Sequence, residues 1–592
     1  MCGIAGISWA RGVAPREAAV LEKTAAALAH RGPDGTHIVR LGRADLIHTR
    51  LAIIDPEGGD QPLRAGPATL VANGEIYNDP DIRKKHSEYK YVSGSDCESA
   101  LRLWEHDDAS FACGLRGMYA IAIHDAQHGE ITLSRDPFGI KSLYIAHFSE
   151  GIIFSSEISA LLASGLLTPE VDIARQTELL QLGFTTGAET ILSGIRRILP
   201  GETIRISEGQ IVSSSRIRAV PAVAPDPSLT EDAALDRLDA ALTDSVRVHE
   251  RSDVPFGMFL SGGIDSAAVL AVMARLRKES GRSEALMAWT AAFDVPQAAD
   301  ESEAARALAG AAGAEHDIIR ITRDDVWRHL PEIVACMDDP AADYAIIPTW
   351  FLARKASRSV RVVLSGEGGD ELFAGYGRYR SAMRPWWRGG KRPWRHGIFD
   401  RTDVLKERGR HWRDGIAAAE MAALQGAHGR LAAVQAADIA EWLPNDLLLK
   451  LDRCLMAHGV EGRTPLLDPV VARVAWSLPD GMRIRDRMGK WLLRQWLART
   501  FPAARPFAPK QGFTVPVGSW IAAEGDRLGQ LVAADPMVQE IARAENVRAL
   551  FRNAAARHAG HAAWTLLFYT LWHRIHVRGM KPDAGVYDML AA

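Results

Sequence analysis

Cysteine is scarce in this chain: five residues among 592, at positions 2, 97, 113, 336 and 454. The count is odd and no two have metal-ligand spacing. Neither a disulfide framework nor a cysteine-held metal is expected, and a reduced cytoplasm is the setting that fits. Long apolar runs are also missing. A membrane-crossing helix needs roughly 18 consecutive apolar residues. The best stretch, Trp564 to Trp572, is brief and followed at once by His573 and Arg574. It reads as a buried helix, so no membrane span is expected. The N-terminus, Met1-Cys2-Gly3-Ile4-Ala5-Gly6-Ile7, lacks the basic leader of a signal peptide. An excess of one charge is lacking too: 70 basic and 73 acidic residues leave a net charge of −3. Nucleic acid is therefore not expected as a partner, because phosphate binding selects strongly basic domains. What remains is a soluble, cytoplasmic chain, 47% hydrophobic. At about 100–200 residues per domain it should hold at least two cores.

The clearest break is Ala219 to Ser228, with prolines at 221, 225 and 227 that favour an extended connector. Ser228-Leu229-Thr230-Glu231 reads as a capping box, and Leu235, Leu238, Leu242 and Val246 follow at helical spacing. Before the break, short alternating segments (Ile47 to Asp55, Ala68 to Ala72, Met118 to His124, Ile131 to Leu133, Gly151 to Phe154) predict strands. After it, strand candidates Val254 to Leu260, Ala285 to Phe293 and Arg361 to Leu364 alternate with helical runs such as Ala267 to Leu276. Strand, glycine turn and helix in succession predict a parallel α/β sheet. The tail from about Asp403 reads as mainly helical. The expected division is 2–205 for the first domain, 206–230 for the linker and 231–592 for the second.

Cys2 carries the first chemical signal. Removal of Met1 would set its thiol beside a free α-amine, whose pKa near 7.7–8.0 suits it as a base for the adjacent nucleophile. By position alone Cys2 reads first as a lone buried cysteine. Six further segments bear on the choice: 31–35 (Arg-Gly-Pro-Asp-Gly), 48–55 (His-Thr-Arg-Leu-Ala-Ile-Ile-Asp), 73–78 (Asn-Gly-Glu-Ile-Tyr-Asn), 95–98 (Ser-Asp-Cys-Glu), 135–141 (Arg-Asp-Pro-Phe-Gly-Ile-Lys) and 155–157 (Ser-Ser-Glu). In this order they resemble the class II glutamine amidotransferases, whose N-terminal-nucleophile (Ntn) glutaminase domain begins Cys-Gly-Ile. The resemblance implies that Cys2 attacks the glutamine side-chain amide. Asn73 and the Gly74 N–H would form the oxyanion hole. Arg50 would hold the glutamine carboxylate, and Asp96 and Glu75 its ammonium. In isolation Arg50 and Asp96 would read as ordinary surface charges.

The second signal is Val254 to Leu260 running into Ser261-Gly262-Gly263-Ile264-Asp265-Ser266, then a helix. A glycine-rich loop between strand and helix offers backbone N–H groups and a helix N-terminus to an anion. No Gly-Lys-Ser/Thr follows, so it is not a P-loop. It resembles the pyrophosphate loop of the ATP pyrophosphatases. A second segment, Ser365-Gly366-Glu367-Gly368-Gly369-Asp370-Glu371-Leu372-Phe373, matches the same group. The resemblance implies ATP against Leu260, Ser261, Gly262, Gly263, Asp265, Ser266, Ser365 and Gly366. It implies Mg²⁺ on Asp265 and Asp370, and Glu367 as the base that deprotonates ammonia. Lys510, in 509–513 (Pro-Lys-Gln-Gly-Phe), would neutralise the departing pyrophosphate.

Together the motifs resemble the asparagine synthetase B family over about 1–520. That implies an αββα Ntn glutaminase sandwich, then an ATP-pyrophosphatase parallel-sheet domain with a helical tail. The substrates would be glutamine, ATP and a carboxylate acceptor, with an internal ammonia passage between the sites and a homodimeric assembly. Aspartate is the first acceptor reading. The family's Arg-x-Pro-x-Leu-Asp stands here as 463–468, but its substrate-gripping aspartate and arginine align with Leu447 and Lys450, with Asp452 as a substitute. Another acid (a sugar acid, a peptide or a natural-product intermediate) is the alternative. An inactive scaffold would have lost reactive positions, yet Cys2, Asn73, Asp265, Glu367, Asp370 and Lys510 are all present. The basic, Trp-rich segment 384–395 reads either as a surface connector or as a contact for an anionic or extended acceptor.

Overall fold

The computed structural model describes residues 2–281, 285–294, 301–388, 390–391, 393–508 and 515–592, with backbone alone for Ala109 and Trp386. Twelve strands come first: β1 (Gly3–Trp9), β2 (Gly35–Leu41), β3 (Ala44–Arg50), β4 (Leu63–Ala65), β5 (Ala68–Ile76), β6 (Gly117–Asp125), β7 (Glu130–Arg135), β8 (Tyr144–Phe148), β9 (Gly151–Ser155), β10 (Ile195–Arg197), β11 (Glu202–Ser207) and β12 (Gln210–Arg216). They make two six-stranded sheets, in the orders β10-β8-β9-β1-β3-β2 and β12-β11-β7-β6-β5-β4. Their facing sides share one core, in which Ile4, Leu46 and Ile152 meet Val71, Leu133 and Ile204. Helices Ala18–Leu28 and Ile158–Ala163 cover the outside of the first sheet through Leu21, Leu28 and Leu161. The Cys97–Asp107 helix covers the second through Leu101 and Leu103. This is the αββα sandwich. β1, at the middle of its sheet and covered on both faces, is buried at every residue.

β12 lies inside the segment expected to be linker, and its pairing with β11 carries the second sheet to Arg216. The helix that follows the connector is Glu231–His249, capped by Thr230, whose side chain accepts from Ala233 N. Ser228 does not form the expected capping box. Asp226 holds its N–H at 3.0 Å and its hydroxyl at 2.6 Å, which leaves Thr230 as the cap.

Five parallel strands then follow: β13 (Phe256–Phe259), β14 (Leu286–Phe293), β15 (Ala314–Ile321), β16 (Val362–Leu364) and β17 (Glu461–Arg463), in the order β15-β14-β13-β16-β17. The order reverses between β13 and β16, which opens a crevice at their carboxyl ends, the place where such sheets bind ligands. Val362 and Leu364 enter one core and Val363 another, so the sheet is covered on both sides. In the tail, the Arg557–Trp572 helix is buried from Ala562 to Trp572, as expected for the stretch 564–572. It packs on the sandwich, where Gln176 Nε2 donates to Tyr569 Oη at 2.7 Å. Among the described residues, no helix is long and apolar enough to cross a membrane.

Candidate active sites

Cys2 stands just before β1 in one sheet and Asn73 near the end of β5 in the other, and the packing of the sandwich brings them together. The Cys2 N–H donates to Asn73 Oδ1 at 3.1 Å. Asn73 Nδ2 is buried and finds no hydrogen-bond partner among the described residues. That is the state expected of a donor reserved for a ligand. Gly74 admits no side chain: a Cβ there would sit 2.1 Å from Met118 O. Cys2, Arg50, Gly74, Glu75 and Asp96 line one small pocket with His48, Leu51 and Glu461.

Burial pushes the Cys2 thiol up, offset in part by a Leu51 N–H. The resting group is thus a thiol that needs a base. Asp96 is pushed up to about 6 by burial, against the Ile76 N–H that donates to it. Glu75 is raised further by burial and the neighbouring Asp96 charge, while Arg463, 3.1 Å away, pulls it down. Two strained carboxyls side by side are the surroundings that a substrate ammonium would relieve. Arg50 is held by the Asp55 and Pro56 carbonyls, at 2.7 and 2.8 Å, and by Asp60 at 2.8 Å. The pocket is only about 30 Å³.

The second centre is a cavity of about 930 Å³ in the crevice between β13 and β16, walled by Leu260 to Ser266, Ser365 to Gly368, Asp370, Lys450 and Lys490. Ser266 Oγ is within 3.2 Å of Ser261 N and 2.9 Å of Ser261 Oγ, which ties the loop to the first turn of the Ile264–Ser280 helix. Ser365 Oγ is buried without a hydrogen-bond partner among the described residues. The loop, the helix end and this hydroxyl fit a polyphosphate. Asp265 and Asp370 converge on Lys490, whose Nζ contacts Asp265 and lies 2.7 Å from Asp370 Oδ1. Two hard oxygen donors beside a phosphate cradle fit Mg²⁺, which takes few protein ligands and completes its shell with phosphate and water. Among the described residues no group of three or more metal-ligating side chains occurs. Burial raises Glu367, in the cavity wall, against the opposing pull of Lys450. Lys510 lies outside the described residues.

Two family models cover these centres. A glutamine amidotransferase domain matches residues 1–216, and an asparagine synthase model matches 237–574. The chain belongs to the asparagine synthase family. As such it is an ATP-dependent, glutamine-hydrolysing ligase. It is 29% identical to asparagine synthetase (glutamine-hydrolyzing) 1 of Bacillus subtilis, over 98% of this chain and 97% of that protein. It is 28% identical to asparagine synthetase B of Escherichia coli, over 86% and 81%. It is also 29% identical to amidase chyE of Penicillium rubens, over 61% and 56%.

The three residues expected to shape the acceptor pocket are separated by the fold. Lys450 lines the cavity, where Asp343 holds its ammonium at 2.8 Å. Leu447 is buried among Leu443, Leu448 and other apolar side chains. Asp452 faces the glutaminase sandwich, 2.9 Å from Arg31. Three contributors escaped the sequence reading. Lys490 is a buried lysine in left-handed conformation (φ +58°), a costly geometry that concentrates at functional sites. Glu371 is pushed up to about 8 by burial and the Asp370 charge, and accepts from Tyr376 Oη at 2.7 Å. Glu461, from β17, lines the pocket of Cys2. Glu371 stood inside a quoted motif and Glu461 two residues before another, whereas nothing in the sequence marked Lys490. In the Trp-rich segment, Trp394 donates to Asp438 at 2.9 Å. Together with Trp442 and Tyr376 it surrounds the Arg378 guanidinium. Trp387 is 62% exposed.

Proposed function

We propose that the chain hydrolyses glutamine at Cys2 and delivers the ammonia to L-aspartate activated as its adenylate, forming asparagine, AMP and pyrophosphate. The carrying observation is the pairing of a thiol–oxyanion pocket with a phosphate cradle at the β13/β16 switch point. Once Met1 is removed, the Cys2 α-amine would take the thiol proton, and Asn73 Nδ2 and the Gly74 N–H would receive the tetrahedral oxyanion. Arg50, Glu75 and Asp96 would orient the amino-acid end of glutamine. In the second centre, Asp265 and Asp370 would hold Mg²⁺, whose charge eases the build-up of negative charge on the phosphates. Lys510 would neutralise the departing pyrophosphate, and Lys490, beside Asp265 and Asp370, would add a second positive charge there. Glu367 would take a proton from the attacking ammonia.

Aspartate is favoured by the near-full-length likeness to proteins named asparagine synthetase and by the Asp343–Lys450 pair. Lys450 lines the cavity, and Asp343, 2.8 Å from it, would supply the acid that Leu447 does not. A second reading, amidation of another acid, is favoured by the same pair if it stays closed on itself at 2.8 Å. The site would then present a neutral wall. Pyrophosphate release from ATP, Mg²⁺ and glutamine, with and without L-aspartate, separates the two. Aspartate-dependent pyrophosphate with asparagine in the mass spectrum supports the first. Glutamine hydrolysis with no response to aspartate supports the second.

A further inference from the structure

The Leu448–Met456 helix belongs to both centres. Lys450 and Leu451 line the nucleotide cavity. The next residue, Asp452, faces the other way and meets the sandwich. Its carboxylate accepts from Arg31 Nη1 at 2.9 Å and Nη2 at 3.3 Å. Arg31 Nη1 also donates to Glu157 at 2.7 Å, and its Nε donates to the Cys2 carbonyl at 3.2 Å. Arg453 braces the group, with Nη1 3.3 Å from Asp452 and Nε donating to Asp338 at 2.7 Å. Arg31 is fully buried and Asp452 is 3% exposed.

A guanidinium with no access to water has its orientation set by its partners. Glu157 binds one terminal nitrogen of Arg31. Asp452 binds both, and that fork leaves the third nitrogen aimed at the Cys2 carbonyl. The main chain of Cys2 is then held on both sides, by Asn73 at its nitrogen and Arg31 at its oxygen. For a nucleophile whose base would be its own α-amine, main-chain placement fixes thiol and base together.

We propose that Asp452, a residue of the synthetase half, is a positioning residue for glutamine hydrolysis, acting through Arg31 on the Cys2 main chain. The inference rests on Cys2 being the nucleophile. Asp452 takes no proton and touches no substrate. Because Arg50, Glu75 and Asp96 would hold glutamine independently of it, its loss should lower turnover and leave affinity alone.

The test is steady-state glutamate release by the full-length protein carrying Asp452→Asn, with Arg31→Lys as the second variant because it keeps the buried positive charge. A fall in kcat of roughly 10- to 100-fold is expected, the scale of a misplaced nucleophile, with KM for glutamine within twofold. Asp452→Glu, which keeps the carboxylate, should recover part of the turnover. Stabilisation by ATP·Mg²⁺ in a thermal melt should match the parent's, whereas a merely structural role would lose it together with turnover. Unchanged kcat in folded Asp452→Asn, or a loss confined to KM, overturns the inference. Glutamate release by Cys2→Ala would instead overturn the reading of Cys2.

Discussion

At the scale of single residues, the two centres are defined by polar groups held in states that water would not tolerate. Asp96 illustrates the consequence for pH. Its carboxyl, pushed up to about 6 in the folded protein, ionises near 3.9 in an unfolded chain. Between those values the native state binds the extra proton, so this group costs stability as pH rises through the window. Below about 6 it is protonated and useless to a substrate ammonium. KM for glutamine should therefore rise as pH falls through 6, by at most about tenfold per unit, and Asp96→Asn should raise KM and flatten that dependence. Initial rates from pH 5 to 8 check it. Lys490 yields a second expectation. Its ammonium now bridges Asp265 and Asp370, so Lys490→Ala leaves two like charges facing each other. Mg²⁺ alone should raise the melting temperature of Lys490→Ala more than that of the parent; an equal shift in both would show that the aspartates do not share a cation.

At the scale of elements, the sheet switch point explains why the nucleotide cradle was legible in the sequence and much of its wall was not. Ser261 to Ser266 and Ser365 to Asp370 are contiguous stretches at the ends of β13 and β16, and their chemistry is written in consecutive letters. Lys490 reaches Asp265 across 225 positions, and Asp343 reaches Lys450 across 107. Contacts of that span depend on tertiary packing that no local pattern encodes. β17 was missed because three residues are too few to show a period, although they complete the sheet and carry Glu461 to the other site. Ser228 was misread as part of a cap because Asp226 competes for it. The closeness of the two loops gives a prediction of its own. A Cβ on Gly366 would lie 2.7 Å from Ser266 N and 2.9 Å from Asp265 C, backbone atoms that cannot step aside. Gly366→Ala should weaken ATP binding by about 10-fold or more, since such overpacking costs roughly 1–3 kcal/mol, with little change in glutamate release. Calorimetric titration with ATP·Mg²⁺ measures the first effect, and loss of both activities together would assign the damage to the fold.

At the scale of the whole molecule, the arrangement answers a problem of competition. A carboxyl-adenylate reacts with water as readily as it is offered, and ammonia released into solvent is protonated and diluted. Making ammonia in one half and consuming it in the other is useful only if the halves stay in register and the reactive intermediate is enclosed. The buried ions that join them supply that register: Arg31 to Asp452, and Arg463 to Glu75 at 3.1 Å. Chemistry, however, should remain divisible even though the structure is shared. Cys2→Ala removes the thiol without disturbing the nucleotide cradle, so it should abolish glutamine-dependent amidation while leaving synthesis from high ammonia within about threefold of the parent. Cys2 is buried, so the melting temperature of the variant is compared with the parent's before the rates are. Asp265→Asn should do the converse, suppressing pyrophosphate release through weaker Mg²⁺ binding while glutamate release persists. Measuring glutamate and pyrophosphate side by side in both variants tests the division directly. If Cys2→Ala also loses ammonia-dependent synthesis while still binding ATP·Mg²⁺, the thiol site is part of the synthetase itself, and the two-centre account fails.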